Sequence, residues 1–170
     1  MVMPNLSTPV ATTEQAAMYL EQIRKVTPPD SPEFRPLMTL YCSDQLEIDD
    51  LSHGHSEGIV KAVKYYPAGA TTNSQSGGSA MMNYNHVFEA MADKKIPLLV
   101  HAESTDDNVD IFDREAAFLE RELSLVCERF PELKVTVEHI STSDGIDFVK
   151  AHPQVGGSIT PHHLLSLIHI

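Results

Sequence analysis

The sequence predicts an α/β fold built on a parallel sheet covered by helices. Three observations lead there. Strand-like and helix-like segments alternate along the chain. The strand-like segments are almost continuously apolar, as in strands buried on both faces. The segments between them carry apolar residues at helical spacing, which makes each pair of strands a candidate βαβ unit. The length of 170 residues, 42% of them hydrophobic, allows one domain with a sizeable core. A doubly wound sheet and a (β/α) barrel both satisfy this pattern.

The elements follow in order. "VMPNL" (Val2 to Leu6) is a short apolar run with a turn signal. "TTEQAAMYLEQIRKV" reads as a helix, because Thr12 and Gln15 stand at capping-box spacing and Ala16, Leu20 and Ile23 share a face. "PLMTLYCS" (Pro36 to Ser43) and "IVKAVKYYP" (Ile59 to Pro67) are strands, and "NHVFEAMADKK" is a helix. "IPLLVHAE" (Ile96 to Glu103) is the next strand. A long helix then carries Phe112, Ala116, Leu119, Leu123, Val126 and Phe130 on one stripe, with charges between them. "LKVTVEHI" (Leu133 to Ile140) is a strand, "SDGIDFVKAH" a helix, and "GGSITPHH" a last strand with its exit loop.

Composition narrows the function classes. A formal charge of −12 argues against nucleic acid and anionic membrane as partners. No run approaches the ~20 apolar residues of a membrane span, and no signal peptide is read at the start. Cys42 and Cys127 form no disulfide framework and no CxxC pair. The compartment reads as cytoplasmic. No GxGxxG or GxxxxGK[ST] follows a strand, so nucleotide binding gains no support.

Three strands end alike: "IVKAVK" at Lys64, "IPLLVH" at His101 and "LKVTVEH" at His139. A lysine in an apolar strand is costly unless it reaches water or is specifically received. In a parallel barrel the C-terminal strand ends converge on one face, where the active site lies. Imidazole is the commonest nitrogen ligand of zinc, so two histidines and a lysine converging there are a candidate metal cluster. Ordinary hydrogen-bonded strand ends remain the alternative. "HGH" at His53 and His55 is set aside, since it lies in a polar segment before a strand and on the wrong side for that face. His86 and His152 fall in helical segments and read as solvated.

At these residues the chain resembles the dihydroorotase family of the amidohydrolase superfamily. The matching stretches are "VMPNL", "PLMTLYCSD", "KYYPAGATTNS", "IPLLVHAE", "DIFDREAAFLE", "VEHISTSDGIDFV" and "ITPHHL", in family order from Val2 to about His163. "YPAGATTNS" and "DIFDREA" are the most specific. The resemblance implies a (β/α)₈ barrel of TIM type and an enzyme with two zinc ions. Its substrates are small molecules, dihydroorotate and N-carbamoyl-L-aspartate, interconverted in pyrimidine biosynthesis.

The resemblance also implies roles. Lys64 matches a lysine that CO₂ converts to a carbamate bridging the two metals, and His101 and His139 match ligands of one of them. The chemistry is reasonable: a free lysine with a pKa of about 10.4 would repel zinc, and only the neutral amine adds CO₂. Asn5 matches a contact to the substrate carboxylate. Thr71 and Thr72 match a loop that closes over the substrate. Gly69 stands where relatives often have Asn. A hydantoinase or allantoinase relative is the alternative within the class, and "YPAGATTNS" argues against it.

The family's barrel is longer than this chain. Its first strand carries an H-x-H pair and an arginine, and its last an aspartate that serves as base. The resemblance therefore places residues 1–164 as an incomplete barrel, about strands two to seven. Residues 165–170, "LSLIHI", match one reading frame of a transposon-end adaptor and are expected to be a non-native tail, which removes His169 from consideration. His162 and His163 gain no ligand role. On this reading the chain by itself is inactive, a non-catalytic barrel fragment. A homodimer is compatible with the full-length family.

Overall fold

The structure, a computed structural model, describes residues 1–31, 33–78 and 80–165. Apolar runs bounded by turns form five strands: β1 (Met38–Tyr41), β2 (Val60–Tyr65), β3 (Leu98–Val100), β4 (Val135–Val137) and β5 (Val155–Gly157). They make one sheet in the order β1-β2-β3-β4-β5, every neighbouring pair parallel. The order never reverses, whereas a doubly wound sheet reverses at its switch point.

Helices make the crossovers. α1 (Thr13–Val26) precedes β1, α2 (Ile48–Ser56) joins β1 to β2, and α3 (Asn85–Lys94) joins β2 to β3. The β3–β4 connection holds α4 (Arg114–Phe118), one π-helical turn (Leu119–Leu123) and α5 (Ser124–Arg129). α6 (Ser143–Ala151) joins β4 to β5, and α7 (Pro161–Leu165) follows.

Side chains alternate along each strand, so the sheet has two chemically different faces. Leu40, Val63, Leu98 and Val135 enter the hydrophobic core with Ala16, Leu51, Phe88, Met91, Leu123 and Val126 from the helices. The alternate positions are paired in register across the sheet: Tyr41 with Lys64, Lys64 with Leu99, Leu99 with Thr136. That second face carries Lys64 and, further along, Tyr66 and His101.

Several elements differ from the sequence expectation. "VMPNL" forms only a single parallel bridge, Val2 to Met38. Pro4 has no N–H to extend the pairing, and its carbonyl accepts from Leu6 N and Val10 N at 3.0 and 2.9 Å, turning the chain. The segment around His53 is helical, because Leu51 and Gly54 bury one narrow face of an otherwise polar turn. Phe112 lies before the long helix and is 84% exposed, while Phe118 takes a core position in its place. Through the π turn and beyond it the expected Leu119, Leu123 and Val126 are buried, and Cys127 is buried beside them. β5 begins at Val155, one residue before "GGSIT", and ends at Gly157, so Ile159 lies beyond it and is exposed. The α1 capping box is present as expected: Gln15 N donates to Thr12 Oγ1 at 3.2 Å, and Thr12 N donates to Gln15 Oε1 at 3.1 Å. Of the proposed tail, Leu165 belongs to α7, and residues 166–170, His169 among them, lie outside the described residues.

Candidate functional site

The opposite face of the sheet carries its polar groups where the strands end. Lys64 is 1% exposed, and its Nζ donates to Glu138 Oε2 at 2.5 Å. The same ammonium lies 4.8 Å from the centre of the Tyr66 ring. These contacts receive a charge that burial would otherwise make prohibitive. Desolvation lowers the Lys64 pKa below the ordinary lysine value, and the Glu138 carboxylate opposes that shift.

His101 directly follows β3, and His139 follows β4 by two residues. Their rings meet edge to face with centroids 4.7 Å apart, and His101 Nδ1 stands 3.0 Å from His139 Nε2. On its other side His101 Nε2 lies 2.8 Å from Glu103 Oε2, while Glu103 Oε1 lies 3.5 Å from an Arg114 Nη. The carboxylate can only accept, so it fixes the proton on Nε2 and leaves the His101 Nδ1 lone pair facing His139. Burial lowers the pKa of His101, against the Glu103 hydrogen bond. Burial, then the charges of His101 and Lys64, lower that of His139. Both rings therefore stay neutral to lower pH than a free histidine. His139 has a φ of +47°, unusual for a residue with a Cβ, and its N donates to Ser158 Oγ at 3.1 Å.

Asn5 is fixed nearby by both ends of its amide. Its Oδ1 accepts from Tyr66 Oη at 2.9 Å and its Nδ2 donates to the Thr72 carbonyl at 3.0 Å. Its own carbonyl accepts from Asn73 Nδ2 at 3.1 Å. Loop 67–78 is folded on itself: Gly78 N donates to the Tyr66 carbonyl, and the buried Ser74 hydroxyl exchanges bonds with both backbone groups of Thr71. A Cβ on Gly77 would lie 2.5 Å from the Tyr66 carbonyl oxygen, so the close return of the loop needs glycine there.

Lys64, His101, His139, Asn5 and Thr71 line one cleft of 500 Å³ together with Tyr66, Glu138 and Thr160. Thr72 is not among the lining residues and contributes its backbone to Asn5 instead. His53 and His55 lie on α2, where two positions apart means about 200° around the axis, so they diverge. His86 is exposed, and His152 packs on Phe148 and bonds its carbonyl. His163 Nδ1 accepts from Thr160 N, while His162 is exposed. Among the described residues no three His, Cys, Asp or Glu side chains gather as a metal site by themselves.

Sequence reasoning missed Glu138, Tyr66, Glu103 and Arg114. A signal existed for the first two. Glu138 is a second charge at the end of an apolar strand beside His139, and Tyr66 follows Lys64 by two residues, which puts both on one face. Glu103 and Arg114 meet across a loop, and nothing local announces that contact.

No protein-family model matches the chain. A curated dihydroorotase of Rhizobium johnstonii is 50% identical over 165 residues, 96% of this chain and 47% of its own length. The chain is homologous to the dihydroorotases. It spans about half the length of the curated relatives it matches. A solved dihydroorotase of Campylobacter jejuni superposes with a TM-score of 0.85 at 36% identity, over 96% of this chain and 46% of that one. The Saccharomyces cerevisiae dihydroorotase, solved in complex with 5-fluoroorotic acid, superposes with a TM-score of 0.85 at 28% identity, covering 96% and 48%. No helix of the described residues is long and apolar enough to cross a membrane.

Proposed function

We propose that this chain is the part of a dihydroorotase that supplies one zinc site and the lysine shared by the metal pair. The observation that carries this is the facing pair of imidazole nitrogens, 3.0 Å apart, beside a fully buried lysine on the same face of a dihydroorotase-like sheet. Two nitrogens bound to one tetrahedral zinc at roughly 2.0–2.1 Å lie about 3.3 Å apart, so the rings need little movement to share an ion. His101 Nδ1, His139 Nε2 and a Lys64 carbamate would hold it. Zinc there would polarise a carbonyl and stabilise negative charge as a Lewis acid.

The chain's own groups prepare that site. Glu103 holds the His101 tautomer, and a His139 proton on Nδ1 would leave both facing nitrogens with lone pairs. Burial favours the neutral amine of Lys64, whose nitrogen adds to the carbon of CO₂ and releases one proton. Glu138, already bonded to Nζ, is the acceptor at hand. Once Glu138 has passed that proton to solvent, the carbamate is an anion beside a carboxylate, and a nearby cation would stabilise it. Asn5 and Thr71 would contact carboxylate or carbonyl oxygens of the substrate, and Thr72 acts by fixing Asn5.

In a chain of the relatives' full length the reaction is the reversible cyclisation of N-carbamoyl-L-aspartate to dihydroorotate, within a (β/α)₈ barrel of which the Val2–Leu6 segment and the five strands are about the second to the seventh. The partner is the small-molecule substrate, and the setting the cytoplasm. Dihydroorotate hydrolysis by that full-length protein tests the reading. Lys64→Ala, His101→Ala and His139→Ala should each abolish zinc-dependent turnover, while His53→Ala and His55→Ala should not. Turnover that survives all three of the first set would refute it.

A further inference from the structure

Two adjacent residues at the start of α4, Arg114 and Glu115, reach in different directions. Arg114 turns toward β3. Its guanidinium lies 3.5 Å from Glu103 Oε1, and the other oxygen of that carboxylate holds His101 Nε2 at 2.8 Å. Its backbone carbonyl accepts from Ser104 N at 3.0 Å, so the segment leaving His101 is tied to α4 twice.

Glu115 turns toward β4. Only 7% exposed, its carboxylate accepts four hydrogen bonds: Oε2 from Ser141 N and Oγ at 3.0 Å each, Oε1 from Thr142 N at 3.1 Å and Oγ1 at 2.5 Å. Thr142 caps α6, so the carboxylate also sits at the positive end of that helix. Gly145 leaves the room, since a Cβ there would lie 2.5 Å from Glu115 Oε1. The turn that bears His139 at φ +47° is thus gripped from two sides, by Ser158 before it and by Glu115 after it. A backbone in that region persists only where its surroundings hold it.

We infer that Arg114 and Glu115 are positioning residues for the two imidazoles, Arg114 aiming His101 through Glu103 and Glu115 aiming His139 through the turn at Ser141 and Thr142. One dipeptide sets the 3.0 Å spacing between rings carried by different strands. This rests on the reading of His101 and His139 as zinc ligands. It gives "DIFDREA", far from either histidine in sequence, a task that burial alone does not explain.

The test is zinc affinity of the full 170-residue chain, measured by competition with a chromophoric chelator at pH 7.5 and scaled to the folded fraction. Arg114→Gln and Glu115→Gln should each weaken zinc binding about 10–100-fold, the range found for groups that orient metal-bound histidines. Arg121→Gln, at an exposed ion pair one helix turn or two away, should leave it unchanged. Arg114→Gln should add little to Glu103→Gln, because both interrupt one chain of contacts. His101→Ala and His139→Ala separate the two claims. If these abolish binding but folded Arg114→Gln and Glu115→Gln bind within twofold of the parent, the dipeptide is structural only and this inference is wrong. If these leave binding intact, the metal reading falls and takes this inference with it. Should Glu115→Gln fail to fold, the Arg114→Gln and Glu103→Gln cycle decides alone.

Discussion

Lys64 and Glu138 form an unequal pair. The lysine is 1% exposed, whereas the Glu138 side chain keeps 18% of its surface. Removing the carboxylate strands a buried ammonium, while removing the ammonium leaves a carboxylate that can turn toward water. Glu138→Ala should therefore destabilise the metal-free chain by about 3 kcal/mol, the low end for breaking a buried pair, and Lys64→Met by clearly less. Urea denaturation at neutral pH measures both; equal losses would mean the pair is not asymmetric. His101 and His139 set the acid limb. Burial lowers the folded pKa of both, so below the ordinary histidine value the unfolded chain takes up protons first. Stability should be flat above about pH 6.5 and fall as pH drops below it, and the fall should shrink in a His101→Ala, His139→Ala double variant. Lys64, His101 and His139 were legible in the sequence because a titratable group closing an apolar strand is conspicuous. Glu138 reads as an ordinary strand-end charge, because its partner Lys64 lies on a strand distant in sequence. Arg114 and Glu115 look like charges on a solvated helix face until Glu115 proves to be buried.

At the scale of elements, local chemistry was readable and compensation between distant segments was not. Thr12 and Gln15 announce the start of α1 by spacing alone, and the reciprocal bonds are there. Thr12→Ala should lower stability by about 1 kcal/mol and leave the zinc affinity of the folded chain untouched, which separates a fold defect from a site defect. α2 was invisible, because its buried side is little more than Leu51 and Gly54. The single π turn was invisible too, since hydrophobic spacing cannot tell an inserted residue from a shifted stripe. Loop 67–78 reads as flexible from Thr, Asn, Ser and Gly, yet Asn5 fastens it at Thr72 and Asn73. Asn5→Ala should speed amide hydrogen exchange across residues 70–77 at least tenfold while β2 exchanges as before. Unchanged exchange would show that the bond from Asn73 to the Asn5 backbone carbonyl and the loop's internal bonds through Ser74 suffice.

The whole molecule was legible as a class before it was legible as a shape. Alternating apolar strands and amphipathic helices specify a parallel α/β sheet, and the unreversed order β1 to β5 then follows the chain. Strand periodicity could not supply the second face of the sheet as a working surface. That required register, which sets Tyr41, Lys64 and Leu99 side by side. With a net charge of −12, the molecule places its one fully buried ammonium among the described residues where two neutral imidazoles and a carboxylate meet. We propose that Lys64, His101 and His139 form one zinc site completed by CO₂. This is tested most directly by ¹³C NMR of the 170-residue chain given ¹³C-bicarbonate, with and without zinc. A carbamate carbon signal should grow with zinc, fade as pH falls, and be absent from Lys64→Ala and His101→Ala. A carbamate signal that persists in Lys64→Ala, or none at any zinc concentration in the parent chain, would contradict that proposal.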